Sequence, residues 1–144
     1  MAPFLGATGI GVSNMEKSVA FYKDTLNIGL APTQTFDVEA FTETVLGFPR
    51  GSKPTGSQVI LMQYKDGKTP RNQQGKLVFY VEDVKAVVDR CKAAGGRIYL
   101  DLGAGKDWAK NIAMVRDPDG FLVEFLPLSM LRSSGSLGQK VSKI

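Results

Sequence analysis

The chain has 144 residues, a length that favours one domain or two small modules sharing a core. It is 43% hydrophobic and 22% charged, with one cysteine and no histidine, which excludes histidine-dependent triads, histidine metal ligands and an internal disulfide. Three units of the net charge of +4 come from Arg132, Lys140 and Lys143 near the end, so the remaining chain is almost neutral and a nucleic-acid partner is not expected.

The first half of the chain predicts a strand, a helix and three more strands. The run GIGVS at 9–13 is strand-like, Asn14 is an N-cap candidate, and apolar residues follow at helical spacing, namely Met15, Val19, Tyr22 and Leu26. The later strands are expected at Pro32–Phe36, Phe41–Phe48 and Gln58–Tyr64. A loop is expected from Gly51 to Gly56 because Pro54 interrupts the pattern, and the polar segment 65–74 is a linker.

The second half repeats this order. LVFYV at 77–81 is strand-like, Asp83 is an N-cap candidate, and apolar residues follow at helical spacing, namely Val84, Val87, Val88 and Cys91. Gly95 and Gly96 are expected to end the helix. Strands are predicted at Arg97–Asp101, Asn111–Arg116 and Phe121–Leu126, with the last two joined by a turn at Asp117–Gly120.

An internal offset of 69 residues relates the two halves. It places Val12 on Val81 and Asn14 on Asp83. The sequence therefore predicts an α+β fold of two βαβββ modules, at about residues 5–65 and 75–128 of a single domain 1–128.

Three motifs carry a resemblance to a known family: GVSNMEKSVAFYKDTL, FYVEDVKAVVDRCKAAGG and MVRDPDGFLVEF. In this order they resemble the vicinal oxygen chelate superfamily, which includes glyoxalase I, bleomycin- and fosfomycin-resistance proteins, methylmalonyl-CoA epimerase and extradiol dioxygenases. The resemblance covers about residues 7–127. It implies curled mixed sheets around a small-molecule cavity, and a homodimer.

The resemblance also implies where a divalent metal would be held. In metal-using members, four side chains (His or Gln, Glu, His and Glu) project into the cavity, and they fall here on Ala7, Leu61, Lys76 and Glu124. A shift of two residues puts Gln63 in place of Leu61. Because one carboxylate, with or without Gln63, does not supply the four or more donors that such an ion usually needs, we expect neither a metal nor another cofactor.

Lys76 and Glu124 are the candidate catalytic residues. Strand alternation places Lys76 on one face with Val78 and Tyr80, and gives Glu124 apolar neighbours. If both strands face the cavity, the two side chains form an ion pair where the metal would lie. This pair either fills a vestigial site, binds a carboxylate, phosphate or enolate oxygen of a ligand, or acts with Glu124 as general base and Lys76 stabilising an enolate.

Five other residues are candidate ligand contacts. Trp108, in a Gly-rich loop, is placed to stack on a planar ligand, and Gln63, Tyr80, Asn111 and Leu61 lie on predicted strands. Ordinary packing or hydrogen bonding inside the protein explains each of them equally simply.

The end of the chain and its hydropathy pattern predict the subcellular location. Residues 129–144 are basic and rich in Ser and Gly, so a mobile tail is expected. No apolar run approaches the roughly 20 residues of a membrane span, and no secretory signal is recognised. A cytoplasmic protein without membrane partners is expected, with a peroxisomal alternative because the final Ser-Lys-Ile resembles a Ser-Lys-Leu address.

Two functions remain open at this stage. One is a small-molecule-binding protein without metal, similar to resistance proteins that sequester a drug. The other is an enzyme, either a metal-free isomerase, epimerase or lyase using Glu124 and Lys76, or a divergent lactoylglutathione lyase.

Overall fold

Two units with the same element order make up the structure, a computed structural model that describes residues 2–50, 53–68, 70–107 and 110–133. Unit 1 holds the chain up to Gln74 together with the turn Asp117–Gly120. Unit 2 holds Gly75–Arg116 and the chain from Phe121 onward. Each unit is a four-stranded mixed sheet with a helix after its first strand, which confirms the α+β class and the βαβββ order.

The sheet of unit 1 has the strand order β1-β4-β3-β2, in which β1 and β4 are parallel and the other pairs antiparallel. Its elements are β1 (Ala7–Gly11), α1 (Met15–Ala20), a π-helical turn (Phe21–Thr25), β2 (Ala31–Asp37), β3 (Phe41–Arg50) and β4 (Lys53–Tyr64). Its largest fully buried apolar side chains lie just after β1, in and just after the helical segment, and on β3 and β4; they include Val12, Tyr22, Leu26, Leu46 and Leu61.

The sheet of unit 2 has the equivalent order β5-β8-β7-β6, again with only its first pair parallel. Its elements are β5 (Lys76–Val81), α2 (Val84–Ala93), β6 (Arg97–Leu100), a 3₁₀ turn (Leu102–Gly105), β7 (Ala113–Arg116), β8 (Leu122–Pro127) and α3 (Ser129–Ser133). Its core includes Val87, Val88, Cys91, Val115 and Phe125.

Asx residues begin both main helices, as predicted. The Asn14 side chain accepts a hydrogen bond from the Lys17 N–H at 3.0 Å, and the Asp83 side chain accepts one from the Ala86 N–H at 3.0 Å. Each bond satisfies an N–H that the first helical turn leaves without a partner. At the end of α2, Gly95 has a φ of +73°, the left-handed conformation that glycine adopts without strain.

Asp117, in the turn Asp117–Gly120, forms a buried hydrogen-bonded pair with Tyr22 of the π-helical turn that follows α1. The Tyr22 hydroxyl donates to Asp117 Oδ2 at 2.8 Å, and the Asp119 N–H donates to Asp117 Oδ1 at 2.9 Å. Burial, followed by the negative charge of Asp117, raises the pKa of Tyr22 well above its ordinary value of 10.0. Tyr22 is therefore a structural residue whose hydroxyl solvates a buried carboxylate.

Two segments differ from the prediction. β4 begins at Lys53, inside the expected loop 51–56, and Pro49 lies opposite Pro54 and Arg50 opposite Lys53. Two opposed prolines lack N–H donors, so they fit only a pair without mutual hydrogen bonds. The expected tail begins with helix α3, while its remainder, 134–144, lies outside the described residues. In the described part of the chain, every helix is too short or too polar to cross a membrane.

Candidate functional site

One face of the unit 2 sheet carries the two candidate catalytic side chains. Along β5, Leu77, Phe79 and Val81 are buried, whereas Lys76, Val78 and Tyr80 are exposed on the opposite face. This alternation follows from the two-residue period of a strand. The predicted face of Lys76, Val78 and Tyr80 is confirmed.

Glu124 lies on the same face of the sheet, in the middle of β8. Its neighbours across the two ladders are Val78 on β5 and Met114 on β7, so apolar side chains flank the carboxylate on both sides. Glu124 is only 7% exposed. A buried carboxylate is costly unless it is paired, which makes its partner the decisive feature of this face.

The partner is the ammonium group of Lys76, whose Nζ donates a hydrogen bond to Glu124 Oε2. The Lys76 side chain is 43% exposed, whereas the Glu124 side chain is enclosed. An ammonium has three N–H donors. The pair can therefore hold an oxygen of a ligand while Lys76 keeps its bond to Glu124.

The donor set does not fit a divalent metal. Lys76 places an ammonium beside the carboxylate where the resemblance implies a ligand, and Ala7 has no donor atom in its side chain. Across the described residues, no group of three or more His, Cys, Asp or Glu side chains could hold an ion. The absence of metal chemistry stays a prediction that rests on these side-chain types.

Leu61 and Gln63 lie on the face of the unit 1 sheet that looks towards α1. Ala7 pairs with Gln58 and Ile10 pairs with Leu61, so Leu61 lies on the face opposite to Ala7. Leu61 is fully buried. Gln63 Oε1 accepts a hydrogen bond from the Met15 N–H at 2.7 Å, which satisfies the first turn of α1. Leu61 thus packs in the core and Gln63 caps α1, while their roles as ligand contacts stay predictions.

The other predicted contacts are spread over unit 2. Tyr80 is half exposed and lies on the same face of β5 as Lys76. Asn111 is exposed in a turn before β7 rather than on a strand, because β7 begins only at Ala113. Trp108 lies outside the described residues. Of the predicted site residues, the structure pairs Lys76 with Glu124 and places Tyr80 on the same face of the sheet.

Sequence reasoning missed a pocket in unit 1 that the linker helps to form. It has a volume of about 510 Å³ and is lined by β1, β4 and the linker, through Gly9, Gly11, Met62, Tyr64, Pro70 and Gln73. The Gln73 side chain holds the linker in place by two hydrogen bonds to the backbone of Gly11. Two glycines spaced by two on β1 were the available signal, since they leave one strand face without side chains.

Comparison with known proteins gives independent evidence on the family of this chain. The family profile described as the Glyoxalase/Bleomycin resistance protein/Dioxygenase superfamily matches residues 5–125. The probable lactoylglutathione lyase of Vibrio parahaemolyticus is 31% identical over 122 residues, which are 83% of this chain and 86% of that protein. The lactoylglutathione lyase of Haemophilus influenzae is 27% identical over 119 residues, which are 83% of this chain and 88% of that protein.

Solved structures agree at the level of the fold. Glyoxalase I of Leishmania major has a TM-score of 0.79 at 22% identity, with 99% of both chains covered. An antibiotic binding protein from Streptomyces has a TM-score of 0.65 at 20% identity, with 88% of this chain and 96% of the other covered. The family profile spans nearly the whole of both units, and the chain belongs to the Glyoxalase/Bleomycin resistance protein/Dioxygenase superfamily.

Proposed function

We propose that this chain binds a small, partly apolar molecule through an anionic or carbonyl oxygen at Lys76, and that it does so without the divalent metal usual in metal-using relatives. The observation that supports the proposal is the Lys76–Glu124 pair on the exposed face of β5 and β8. An ammonium takes the place of the cation, and the buried carboxylate fixes its position.

The chemistry of the face favours a ligand of this class. A hydrogen bond from an ammonium to a carboxylate or enolate oxygen is about twice as strong as one between neutral groups. Beside Lys76, the exposed side chains of Val78 and Tyr80 offer apolar and aromatic surface to the rest of the ligand. A homodimer, which the resemblance implies, is part of the same proposal.

A second candidate is a proton-transfer enzyme, and the names of the relatives favour it. Two relatives of 27–31% identity are called lactoylglutathione lyase or probable lactoylglutathione lyase. In this candidate, Glu124 accepts a proton from a carbon next to a carbonyl group, and the bonding electrons move to the carbonyl oxygen. Lys76 donates a hydrogen bond to that oxygen, and Glu124 returns the proton to the neighbouring carbon.

Titration with sodium benzoate tests the binding proposal, since benzoate combines an apolar ring with a carboxylate. In ¹⁵N-labelled protein, we expect saturable amide shifts in β5 and β8. Lys76→Met should weaken binding about tenfold or more, whereas the control Lys85→Met, which removes an exposed lysine paired with Asp89, should not. Equal affinity in wild type and Lys76→Met would refute the proposal.

Turnover separates the two candidates. The protein is incubated with methylglyoxal and glutathione, and formation of lactoylglutathione is measured for wild type and Glu124→Gln. A binding protein gives no rate above the uncatalysed reaction, and Glu124→Gln keeps much of its affinity for benzoate because the ammonium of Lys76 remains. A general-base enzyme turns over, and Glu124→Gln slows it by about 10²–10⁴. Turnover that survives in Glu124→Gln contradicts the assigned base.

A further inference from the structure

The edge strands β2 and β6, which hold equivalent places in the two sheets, are built differently. In unit 2, β6 has four residues, begins with Arg97 and has a register shift between Ile98 and Leu100. Short length, charge and irregular register are among the features that keep a sheet edge from pairing with another chain. In unit 1, β2 has seven residues and contains no lysine or arginine. The β2 edge is therefore the less protected of the two.

The irregular part of β2 lies at its start. Pro32 has no N–H, and the register against β3 shifts between Pro32 and Gln34. From Gln34 to Asp37 the pairing is regular. The next residue, Val38, continues it, since its N–H bonds to the Phe41 carbonyl at 3.0 Å. The stretch 34–38 is thus a regular strand with one edge on β3.

The backbone groups of this stretch point alternately towards β3 and away from it. Opposed residues in an antiparallel pair alternate between bonded and non-bonded pairs, so Phe36 bonds to β3, as Val38 does, whereas Thr35 and Asp37 point outward. Side chains lie closer in non-bonded pairs, and the Thr35 hydroxyl accordingly lies 3.4 Å from that of Thr44. Within the described residues, no other segment bonds to the outward groups of Thr35 and Asp37.

This outward edge is complementary to itself. An antiparallel copy centred on Phe36 places Thr35 opposite the partner's Asp37, and each exchanges both backbone hydrogen bonds with the other. Phe36, which is 46% exposed, then lies opposite the partner's Phe36 in a non-bonded pair, where two aromatic side chains stabilise a sheet. Like charges are not opposed, because Asp37 lies opposite a threonine and is paired with Lys65 at 2.7 Å.

We propose that β2 is an interaction surface for a second copy of this chain, paired antiparallel over residues 34–38 and centred on Phe36. The two-fold symmetry closes the contact, because both copies use the same edge. Pairing of β2 with β6 of another copy would leave an edge open on each copy, and Arg97 and the shifted register of β6 oppose it.

The contact is weak and reversible, and it uses unit 1 alone. So short a stretch buries less than the roughly 800 Å² per partner of a standard interface. The proposal assigns a surface and a register, and it adds to any dimer formed through other surfaces. It does not rest on the function proposed for Lys76 and Glu124.

Cysteine cross-linking in the full chain tests the register. Phe36→Cys places the thiols of two copies across a non-bonded pair, with Cβ atoms about 4.5–5.5 Å apart, close to the span of a disulfide. Gln34→Cys is the matched control, because it lies on the same face of the strand but opposite the partner's Val38. The native Cys91 is buried. Under mild oxidation, Phe36→Cys should form the covalent dimer at least about tenfold faster than Gln34→Cys.

A proline variant separates strand pairing from chance collision. Thr35→Pro removes an N–H that points away from β3, so it breaks the contact between copies and leaves the hydrogen bonds of the sheet intact. Combined with Phe36→Cys, it should lower the cross-linking rate to that of Gln34→Cys, and circular dichroism checks that the fold is kept. Equal rates for the two cysteine variants, or a rate that Thr35→Pro leaves unchanged in the folded protein, would overturn the proposal.

A lysine variant gives a readout that needs neither cysteine nor proline. Phe36→Lys sets like charges opposite each other at the centre of the contact, while Glu43, opposite on β3, offers the lysine a partner within the chain. In sedimentation velocity, this variant should remain the smaller species at concentrations where wild type associates further. Association that Phe36→Lys does not change would overturn the proposal. Benzoate shifts in β5 and β8 should be the same in this variant as in wild type, so the two proposals can fail independently.

Discussion

Replacement of Lys76 by methionine should expose how strongly Glu124 depends on its partner. Lys76→Met keeps a long apolar side chain but removes the ammonium that bonds to Glu124 Oε2. The carboxylate then stays buried at 7% exposure between Val78 and Met114 without this cation. The variant therefore measures the cost of leaving that carboxylate uncompensated.

The expected magnitude lies between two limits. Loss of one partner costs about 3–5 kcal/mol in a fully buried pair and about 0–1 kcal/mol in an exposed pair. Glu124 is enclosed, but the Lys76 side chain is 43% exposed, so we expect a loss of about 2 kcal/mol in the free energy of unfolding. For a chain of this length, that corresponds to a fall of roughly 4–8 °C in the melting temperature.

Urea denaturation followed by circular dichroism measures this loss. Lys85→Met is the matched control, because Lys85 forms an exposed pair with Asp89 at 2.5 Å on α2, and its removal should cost no more than about 0.5 kcal/mol. The double variant Lys76→Met with Glu124→Leu should return to within about 1 kcal/mol of wild type, since apolar packing replaces both charges. A loss in Lys76→Met no larger than in Lys85→Met would refute the reasoning.

Three further predictions concern buried groups and backbone strain. Tyr22→Phe removes one hydrogen-bond donor from the buried Asp117 and should lower the free energy of unfolding by about 1–3 kcal/mol in chemical denaturation. The control Tyr99→Phe, on the exposed surface, should change it by less than about 0.5 kcal/mol. Equal effects of the two substitutions would contradict the role of the Tyr22 hydroxyl. Burial raises the pKa of Cys91 from its ordinary 9.0 to about 11, so the stability that the neutral thiol contributes is complete below pH 9.0 and is lost as the pH rises towards 11. Unfolding at stepped alkaline pH should therefore show a shallower decline between pH 9 and 11 in Cys91→Ala than in wild type, and identical slopes would argue against it. Ala104 has a φ of +47°, a left-handed conformation that strains alanine, so Ala104→Gly should raise the free energy of unfolding by about 1 kcal/mol. The control Ala93→Gly, in α2, should lower it by about 0.5–1 kcal/mol. A loss of stability in Ala104→Gly would contradict the strain at this residue.

The sequence was sufficient for the two-unit fold because its signals are local. Asn14 and Asp83 cap helices at equivalent positions, and the offset of 69 residues places β5 at the equivalent of β1. Such signals depend on a few neighbouring residues, so they survive without knowledge of tertiary contacts. The Lys76 face of β5 was predictable for the same reason, since strand alternation alone determines it.

The features that the sequence alone does not determine depend on pairing between distant segments. The resemblance places a metal-ligand position at Leu61. The sheet face on which Leu61 lies is set by the register of β1 against β4, and a shift of one residue reverses that face. Gln73 lies in a polar linker with no periodic pattern, and its pairing with Gly11 spans 62 residues. Pro54 and the nearby glycines resemble a loop, although the hairpin continues through Lys53–Thr55.

Metal analysis of purified protein without a polyhistidine tag tests the central claim most directly. The native chain has no histidine, so a tag would dominate the result. The metal content is measured before and after incubation with zinc, nickel, manganese and iron(II), in wild type and Glu124→Ala. We expect no metal at a one-to-one ratio, because Glu124 is paired with Lys76. Tight binding of one metal that Glu124→Ala abolishes would contradict the account and return metal-dependent chemistry to first place.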